Sequence, residues 1–279
     1  MPPRIAIPMP HFSDREYAER AIPQYERAVE LAGGEAVRVG LDQTPDEIRK
    51  VMERCDGVLL PGSKADVDPA RFNAARSSHT AAADPRRDAV DDLLLEDAYR
   101  LRKPVLGICY GLQSLNVNRA GSLIQHIPDF LPEETRARVN HEAGKKVAVA
   151  HAVEIESGSR LAEIVDDGGG RRSAVRRSLV LSVNSSHHQS AEAIGDGLRI
   201  VARCPDDGII EALEGTAPDH FVLAVQWHPE RSVEQDAASR AIFRAFIAAG
   251  QASRKQRARW RTSLLRTVRR YARKILPSV

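Results

Sequence analysis

One stretch decides the fold of this chain: Pro104-Val105-Leu106-Gly107-Ile108-Cys109-Tyr110-Gly111-Leu112-Gln113. The apolar run before Cys109 has the composition of a buried strand, and Leu112 and Leu115 after it are spaced as on a helix. A nucleophile between two glycines at a strand-to-helix turn is the arrangement called a nucleophile elbow. The stretch therefore predicts a strand, a sharp turn at Cys109 and a helix.

The position of Cys109 suits a nucleophile for three physical reasons. Flanking glycines let the chain pass through a strained turn without clashes. The thiol would lie at a helix N-terminus, whose dipole favours a thiolate, and the amide N–H of Tyr110 would point to where an oxyanion forms. The alternative is a small buried side chain at a strand end, the common fate of a single cysteine. The strand, both glycines and the helix together favour the nucleophile.

Short apolar runs alternate with helical patterns in the first half of the chain. Because parallel strands covered by helices read as apolar runs between helical patterns, the fold class predicted is α/β with a mainly parallel sheet. A loop over 61–83, rich in Asp, Ala and Ser, is a candidate binding loop. The predicted strands are 4–7, 36–39, 57–60 and 104–108, and the predicted helices are 15–32, one starting at 44, and 84–102.

The second half is richer in strands, predicted at 147–155, 179–183, 198–203, 208–213 and 221–226. A glycine-rich surface turn is predicted at 168–172, and a helix over 233–249 closes the domain. No internal repeat or break in composition occurs before residue 250. We therefore expect one domain over residues 1–250 and a tail over 251–279.

Composition excludes several classes of protein. Of the 279 residues, 42% are hydrophobic and 28% charged, which is typical of a globular domain. No apolar run approaches the ~18 residues of a membrane span, and the first residues lack the apolar core of a signal peptide, so we expect a cytoplasmic protein. Cys55, Cys109 and Cys204 are too few and too far apart for a disulfide framework or a zinc cluster. No metal or organic cofactor is expected.

Charge is divided unevenly along the chain. Residues 251–279 contain ten Lys and Arg and no Asp or Glu, which leaves residues 1–250 with 31 basic and 38 acidic residues, a net charge of −7. Apolar residues recur in the tail at steps of three and four, which predicts a basic amphipathic helix. It can lie on an anionic membrane surface, bind nucleic acid, or pack on a subunit or its own domain; we expect packing or assembly, with a homodimer as the default. The apolar positions are Trp260, Leu264, Val268, Tyr271 and Ile275.

A cysteine nucleophile needs a base, and the best candidate lies in Val225-Gln226-Trp227-His228-Pro229-Glu230. Residues two apart in an extended segment face the same way, so Glu230 can orient the imidazole of His228. Pro229 favours extended geometry at His228. Cys109, His228 and Glu230 therefore form a candidate catalytic triad.

These motifs together resemble the class I glutamine amidotransferase-like superfamily, and within it the γ-glutamyl-γ-aminobutyrate hydrolase family of the peptidase C26 type. The resemblance spans about residues 4–250 and depends on several motifs in order. Besides the cysteine motif and Gln226 to Glu230, they are Pro61-Gly62-Ser63-Lys64-Ala65-Asp66-Val67-Asp68-Pro69, Asp84-Pro85-Arg86-Arg87-Asp88, Gly121-Ser122-Leu123-Ile124-Gln125-His126-Ile127 and Val183-Asn184-Ser185-Ser186-His187-His188-Gln189.

The resemblance implies a flavodoxin-like three-layer fold and a triad at the cysteine, histidine and glutamate just named. It implies an oxyanion hole formed by the main-chain N–H groups of Tyr110 and of Gly62 or Ser63. Because it also matches the positions that face the glutamyl group in relatives, it implies a set of substrate-binding residues. These are Gln113, Ser185, Ser186, His187 and His188, of which the two histidines can equally be packed or solvated loop residues.

Two positions depart from the family pattern, and one pair has two explanations. Tyr110 stands where many of the γ-glutamyl hydrolases have arginine, as in some glutaminase domains of amidotransferases. Ala120-Gly121 stands where relatives often have two glycines, which we expect to affect only a turn. Arg87 and Asp88 match a recurrent family pair, although a salt bridge at a helix start explains them equally well.

The function implied is a cysteine-dependent hydrolase that cleaves the γ-glutamyl amide of a small compound through a thioester, releasing glutamate and an amine. The amine can be γ-aminobutyrate, a polyamine, an amino acid or ammonia. One alternative is a glutaminase subunit that delivers ammonia to a separate synthase chain. Another is a non-catalytic binding protein on the same fold.

Overall fold

In the computed structural model the described residues are 1–144, 146–166, 171–172 and 179–275, with side chains described through residue 258 except at 171–172. Most of the turn predicted at 168–172 lies outside them, and Arg171–Arg172 form a short strand. Within the described residues, none of the helices combines the length and apolar character that crossing a bilayer requires.

The described strands are β1 (Arg4–Pro8), β2 (Glu35–Val39), β3 (Gly57–Leu60), β4 (Val105–Ile108), β5 (Leu123–Ile124), β6 (His151–Ile155), β7 (Arg171–Arg172), β8 (Leu179–Val183), β9 (Ser190–Ala191), β10 (Leu198–Arg203), β11 (Ile210–Gly215) and β12 (Val222–Val225). The helices are α1 (Arg15–Leu31), α2 (Pro45–Met52), α3 (Pro85–Leu101), α4 (Tyr110–Asn118), α5 (Ile127–Phe130), α6 (Glu133–Arg136), α7 (Arg160–Asp166) and α8 (Ala237–Ile275). Short 3₁₀ turns occupy Pro69–Phe72 and Pro229–Arg231.

A central sheet has the strand order β2-β1-β3-β4-β12-β11-β10-β6-β8-β7. The pairs from β2 to β12 are parallel, as predicted, and every pair from β12 to β7 is antiparallel. The α/β class with a central sheet between helices is therefore confirmed. Two predicted strands differ by more than one residue at an end: β6 begins at 151 rather than 147, and β11 occupies 210–215 rather than 208–213.

The sheet buries a different set of side chains on each face. Along β1, Ile5 and Ile7 pack on one side with Ile22 of α1 and Phe243 of α8. Ala6 points to the other side, towards α2, α3 and α4. This alternation is what period-two side-chain direction requires of a strand covered on both faces. The molecule is a three-layer sandwich with a helix layer on each face of the sheet.

The strand, sharp turn and helix predicted around Cys109 are present. Cys109 joins β4 to α4 with φ 54° and ψ −107°, a strained conformation for a residue with a side chain. A Cβ on Gly111 would overlap the carbonyl oxygen of Leu60, and one on Gly107 would lie 2.8 Å from the carbonyl oxygen of Gly111. Both glycines are therefore needed for α4 to pack directly on the sheet.

The chain end differs from the prediction, because α8 is one helix from Ala237 to Ile275 rather than a closing helix and a separate tail helix. It starts four residues later than predicted, where Asp236 Oδ2 accepts a hydrogen bond from the Ser239 amide at 2.7 Å. Gly250 does not end the helix. Just beyond it, Arg257 Nη2 lies 2.9 Å from Asp56 Oδ1, so the first turns of the tail pack on the domain itself. The predicted apolar stripe from Trp260 onward lies outside the described side chains.

Candidate active site

Cys109 lines a cavity of about 380 Å³ at the carboxyl edge of the parallel strands. Ligands of α/β proteins bind at such an edge. A larger cavity, of about 550 Å³, is lined by Asn184 and Trp227 among others, and none of the described residues lining it is a predicted site residue. The residues that line the first cavity are Tyr17, Arg20, Ser63, Lys64, Ala65, Asp66, Cys109, Tyr110, Gln113, Ser186, His187, His188, Gln189, His228 and Arg231.

The structure brings His228 and Glu230 together beside Cys109. Nδ1 of His228 is 2.7 Å from Oε1 of Glu230, and both side chains are buried. Nε2 of His228 is buried and has no hydrogen-bond partner among the described residues. The side-chain amide of Asn184 fixes the backbone of His228 through two hydrogen bonds of 2.9 Å, one donated and one accepted. The free nitrogen is therefore the one available to a reacting group.

The charges of this pair depend on each other. Burial disfavours the charged imidazole, but Glu230 and Cys109 outweigh it and raise the pKa of His228 to about 9. Burial also disfavours the carboxylate of Glu230, and the imidazolium of His228 outweighs it and lowers the pKa of Glu230. His228 is therefore held as an imidazolium at neutral pH.

The loop after β3 passes over the histidine ring. A Cβ on Gly62 would lie 3.0 Å from the hydroxyl oxygen of Tyr25 and 3.1 Å from Cε1 of His228, so a larger residue would require these side chains to shift. The amide N–H of Gly62 donates to the hydroxyl of Tyr25 at 3.0 Å. The amide N–H groups of Ser63 and Tyr110 form no hydrogen bond among the described residues. Of the two predicted loop donors, Ser63 is thus the one whose N–H is available.

Arg87 contacts both the loop after β3 and Tyr110, the residue that follows Cys109. Its guanidinium is fully buried and donates to the carbonyl of Pro61 at 2.8 Å and to that of Pro10 at 3.2 Å. It pairs with Asp91 at 2.7 Å and lies 4.8 Å from the ring centre of Tyr110. Because Pro61 directly precedes Gly62, Arg87 fixes the loop and the elbow to each other.

The side chain of Tyr110 points away from the reacting groups. Its hydroxyl donates to Asp88 Oδ1 at 2.6 Å, and the ring is 1% exposed. Arg71 Nη1 lies 2.9 Å from the same Asp88 oxygen. Neither Arg87 nor Asp88 is therefore confined to a surface salt bridge at the helix start, since both contact Tyr110.

Gln113 and His188, two of the predicted substrate-binding residues, line the cavity. The Gln113 side-chain amide donates to the carbonyl of Gln189 at 3.2 Å. His188 Nε2 lies 3.1 Å from Asp66 Oδ1, and this hydrogen bond raises the pKa of His188. Both side chains already have protein partners, so a ligand would meet them as part of a fixed wall.

The other three predicted residues of this loop are placed differently from one another. Ser186 lines the cavity. Ser185 is fully buried, does not line it, and donates from Oγ to the carbonyl of His141 at 2.7 Å. His187 borders the cavity, but its Nε2 lies 3.6 Å from Glu211 Oε1 on the far side of the loop.

Asn184, Tyr25 and Arg231 are among the residues at the site that were not predicted from the sequence. Asn184 lies in the motif Val183 to Gln189, and its position as a polar residue directly after an apolar strand could have indicated a role at the site. Tyr25 was assigned only to the apolar face of α1, although its hydroxyl must find a partner when buried. Arg231 directly follows Glu230, and its Nη1 is buried without a hydrogen-bond partner among the described residues.

The fold is shared with solved glutaminase domains. The glutaminase domain of CTPS from Trypanosoma brucei, solved with bound acivicin, aligns with a TM-score of 0.56 and 21% identity, covering 90% of this chain and 94% of that one. This likeness establishes the shared fold.

The chain belongs to the peptidase C26 family of glutamine amidotransferase-like hydrolases, since the Peptidase C26 family model matches residues 7–230. It is 36% identical over 237 residues to the Mycobacterium tuberculosis protein named "Putative glutamine amidotransferase Rv2859c", covering 84% of this chain and 69% of that protein. It is 33% identical over 211 residues to gamma-glutamyl-gamma-aminobutyrate hydrolase PuuD of Escherichia coli, covering 74% and 76% respectively.

Proposed function

We propose that the protein hydrolyses the γ-glutamyl amide bond of a small compound, with Cys109 as nucleophile, His228 as acid and base, and Glu230 as the residue that orients His228. One observation carries the proposal. The strained turn presents Cys109 to the same cavity as His228, whose Nε2 has no protein partner among the described residues and whose Nδ1 is held by Glu230.

The first half of the reaction forms a thioester. The sulfur of Cys109 attacks the γ-carbonyl carbon, and the amide N–H groups of Ser63 and Tyr110 stabilise the oxyanion. The imidazolium of His228 gives its Nε2 proton to the departing nitrogen as the C–N bond breaks. The amine leaves, the γ-glutamyl group remains on Cys109, and His228 becomes neutral.

The second half regenerates the enzyme. Neutral His228 accepts a proton from a water molecule, whose oxygen attacks the thioester carbonyl. The C–S bond breaks, glutamate is released, and the thiolate of Cys109 again faces an imidazolium. No step needs an oxidant or a metal, and the pKa of about 9 keeps His228 protonated before the first step at neutral pH.

The cavity wall offers charges that suit a glutamyl group. Arg231 has a buried N–H group without a partner among the described residues, which suits the α-carboxylate of the substrate. Asp66 also lines the cavity, and its carboxylate suits the α-ammonium group of the substrate. The Escherichia coli relative named for γ-glutamyl-γ-aminobutyrate supports this class of substrate.

A glutaminase subunit serving a separate synthase chain is the second candidate. It is supported by Tyr110, the residue that departs from the hydrolase pattern, and by the amidotransferase name of the mycobacterial relative. The chemistry at Cys109 is the same in both candidates. They differ only in whether the leaving group is a substituted amine or ammonia.

The test is glutamate release from γ-glutamyl-γ-aminobutyrate, a γ-glutamyl polyamine, a γ-glutamyl dipeptide and glutamine. Turnover of a substituted amide by the wild type, lost in Cys109→Ala, is the expected result. Cys55→Ala is the matched control, because Cys55 is buried in the opposite helix layer and burial raises its pKa to about 11. Activity on glutamine alone would favour the glutaminase, and saturable binding of these compounds without turnover would favour the binding protein.

A further inference from the structure

Three histidines and a glutamate converge inside the protein behind the loop 185–189. Their facing atoms lie within 4.8 Å of one another, and all four side chains are buried. Oε1 of Glu211 is 3.4 Å from Nδ1 of His141, 3.6 Å from Nε2 of His151 and 3.6 Å from Nε2 of His187. None of these four atoms has a hydrogen-bond partner among the described residues.

The other nitrogen of each ring is anchored, which fixes the free nitrogen towards the centre. An anchored outer nitrogen that sets the ring orientation is the arrangement that surrounds metal-ligating histidines. The three anchoring contacts are His141 Nε2 with Asp207 at 2.8 Å, His151 Nδ1 with the Ala152 carbonyl at 3.1 Å, and His187 Nδ1 with the Gln189 carbonyl at 3.0 Å.

We propose that His141, His151, His187 and Glu211 form a binding site for one divalent transition-metal ion, and that Zn²⁺ is the ion this donor set fits best. Three imidazole nitrogens and one carboxylate oxygen are a set that zinc accepts in tetrahedral geometry. Ligands at about 2.0–2.1 Å from a tetrahedral metal are about 3.4 Å apart. The separations of 3.4 to 3.6 Å from Glu211 therefore leave room for an ion with little rearrangement.

A hydrogen-bonded cluster explains the same residues less completely. A protonated Glu211 has one proton to donate, so it can satisfy one imidazole nitrogen and leaves two buried acceptors without donors. Each unpaired buried polar group destabilises the fold. A metal ion satisfies all four groups at once.

The site lies next to the catalytic cavity and fixes one of its walls. His187 borders that cavity, and its amide donates to the carbonyl of His141 at 2.9 Å. The Gln189 carbonyl that anchors His187 also accepts from the side chain of Gln113. The ion would therefore hold the loop 185–189 against β6 and β11 as a structural element. This inference does not depend on the reaction proposed at Cys109.

An ion can reach the cluster from the surface. A second cavity of about 200 Å³ is lined by His141 and His187 together with α5 and the segment after α6. Binding at the cluster would thus not require the sheet to open, and a chelator could remove the ion from the folded protein.

The experiment uses the full chain without a histidine tag. Metal content is measured after purification, and thermal unfolding is followed before and after treatment with a chelator and after addition of ZnCl₂. We expect one zinc per chain and a Tm that falls by at least about 5 °C on chelation and recovers with ZnCl₂. Glu211→Gln keeps the size of the side chain, and we expect it to lose the ion and the Tm response to zinc. His11→Ala, which changes a partly exposed histidine outside every such cluster of the described residues, should retain both.

The inference is overturned if the wild-type chain holds no zinc and its Tm is unchanged by ZnCl₂. It is equally overturned if Glu211→Gln and His151→Ala bind zinc as the wild type does, because the ion then lies elsewhere. A variant that fails to fold leaves the wild-type measurement as the decisive one. Since none of these readouts involves turnover, their failure is distinguishable from failure of the proposed reaction.

Discussion

Glu230 and Glu211 are both buried and both face histidine, yet their pKa values shift in opposite directions. Burial opposes ionisation of Glu230, but His228 at 2.7 Å outweighs it and lowers the pKa of Glu230. The carboxyl oxygens of Glu211 have no hydrogen-bond partner among the described residues, and burial raises the pKa of Glu211 to about 7 against the opposing effect of His151. Burial cannot explain the difference, because both side chains are at most 5% exposed.

The difference lies in whether a cation is present. His228 is an imidazolium because Glu230 and Cys109 both favour its charged form, and the imidazolium in turn favours the carboxylate of Glu230. Around Glu211 the imidazoles of His151 and His187 are neutral, since burial lowers the pKa of each. In our two proposals, the Glu230 region transfers protons, and the Glu211 region binds a metal ion and is a fixed structural element.

Among the changes to the Glu230 region, removing His228 should cause the largest loss of activity. We expect His228→Ala to lower kcat/KM by about 10⁴-fold or more, because the leaving nitrogen loses its proton donor and the water its base. The measurement is glutamate release at saturating and limiting substrate. His79→Ala is the control, and a His228→Ala enzyme within tenfold of the wild type would assign the base elsewhere.

Neutralising Glu230 should have a smaller effect and change the pH profile. We expect Glu230→Gln to lower kcat by about 10²-fold. The first step needs the imidazolium, so activity of the wild type should fall as pH rises through about 9. Without the carboxylate that raises the pKa of His228, this fall should move to lower pH in the variant. An alkaline limb at the same pH in both proteins would contradict the pairing.

How much of this the sequence could predict depends on how far apart the cooperating residues are. Cys109 and its glycines are contiguous, and His228 and Glu230 are two residues apart, so local geometry dictates their arrangement. The parallel half of the sheet followed from apolar runs between helical patterns. The sequence wrongly predicted that a helix ends near Gly250, because a glycine usually indicates a helix end. In the folded chain Gly250 lies within α8 and packs against Pro3.

The Glu211 region could not be predicted from the sequence, because its residues are far apart along the chain. Its four residues come from a loop, β6, the loop 185–189 and β11, at spacings that match no metal-binding motif. Only the order of the antiparallel strands brings them together. In the same way, the contact of Tyr25 with Gly62 depends on the packing of α1 beneath a loop distant in sequence.

Asp88 is a third buried carboxylate, and changing its hydrogen-bond partner Tyr110 should affect activity less than changing His228 or Glu230. Burial raises the pKa of Asp88, and the hydroxyl of Tyr110 and the guanidinium of Arg71 oppose this effect. We expect Tyr110→Phe to destabilise the fold by about 1–2 kcal/mol and to lower kcat by less than about fivefold, because the oxyanion is held by the backbone N–H. Urea unfolding and kinetics measure both. A loss of activity beyond about 10²-fold would assign the Tyr110 hydroxyl to the chemistry.

The smallest effect concerns backbone strain away from the chemistry. Ala120 has φ 67°, a left-handed conformation that favours glycine, at the position where relatives often have two glycines. We expect Ala120→Gly to stabilise the fold by up to about 1 kcal/mol, with activity unchanged, whereas the strain at Cys109 is part of the elbow. Gly121→Ala is the counterpart: its Cβ would lie 2.5 Å from Asn116 Nδ2, so it should destabilise. A destabilised Ala120→Gly would contradict this explanation.

The most direct test of the account is the covalent intermediate on Cys109. The wild-type chain is mixed with the substituted γ-glutamyl amide that it turns over fastest, quenched in acid within one turnover, and analysed by intact and peptide mass spectrometry. We predict one γ-glutamyl group on the peptide that contains Cys109, absent from Cys109→Ala and released as glutamate when the reaction continues. Glutamate release by Cys109→Ala at the wild-type rate, or a γ-glutamyl adduct on another residue, would contradict it.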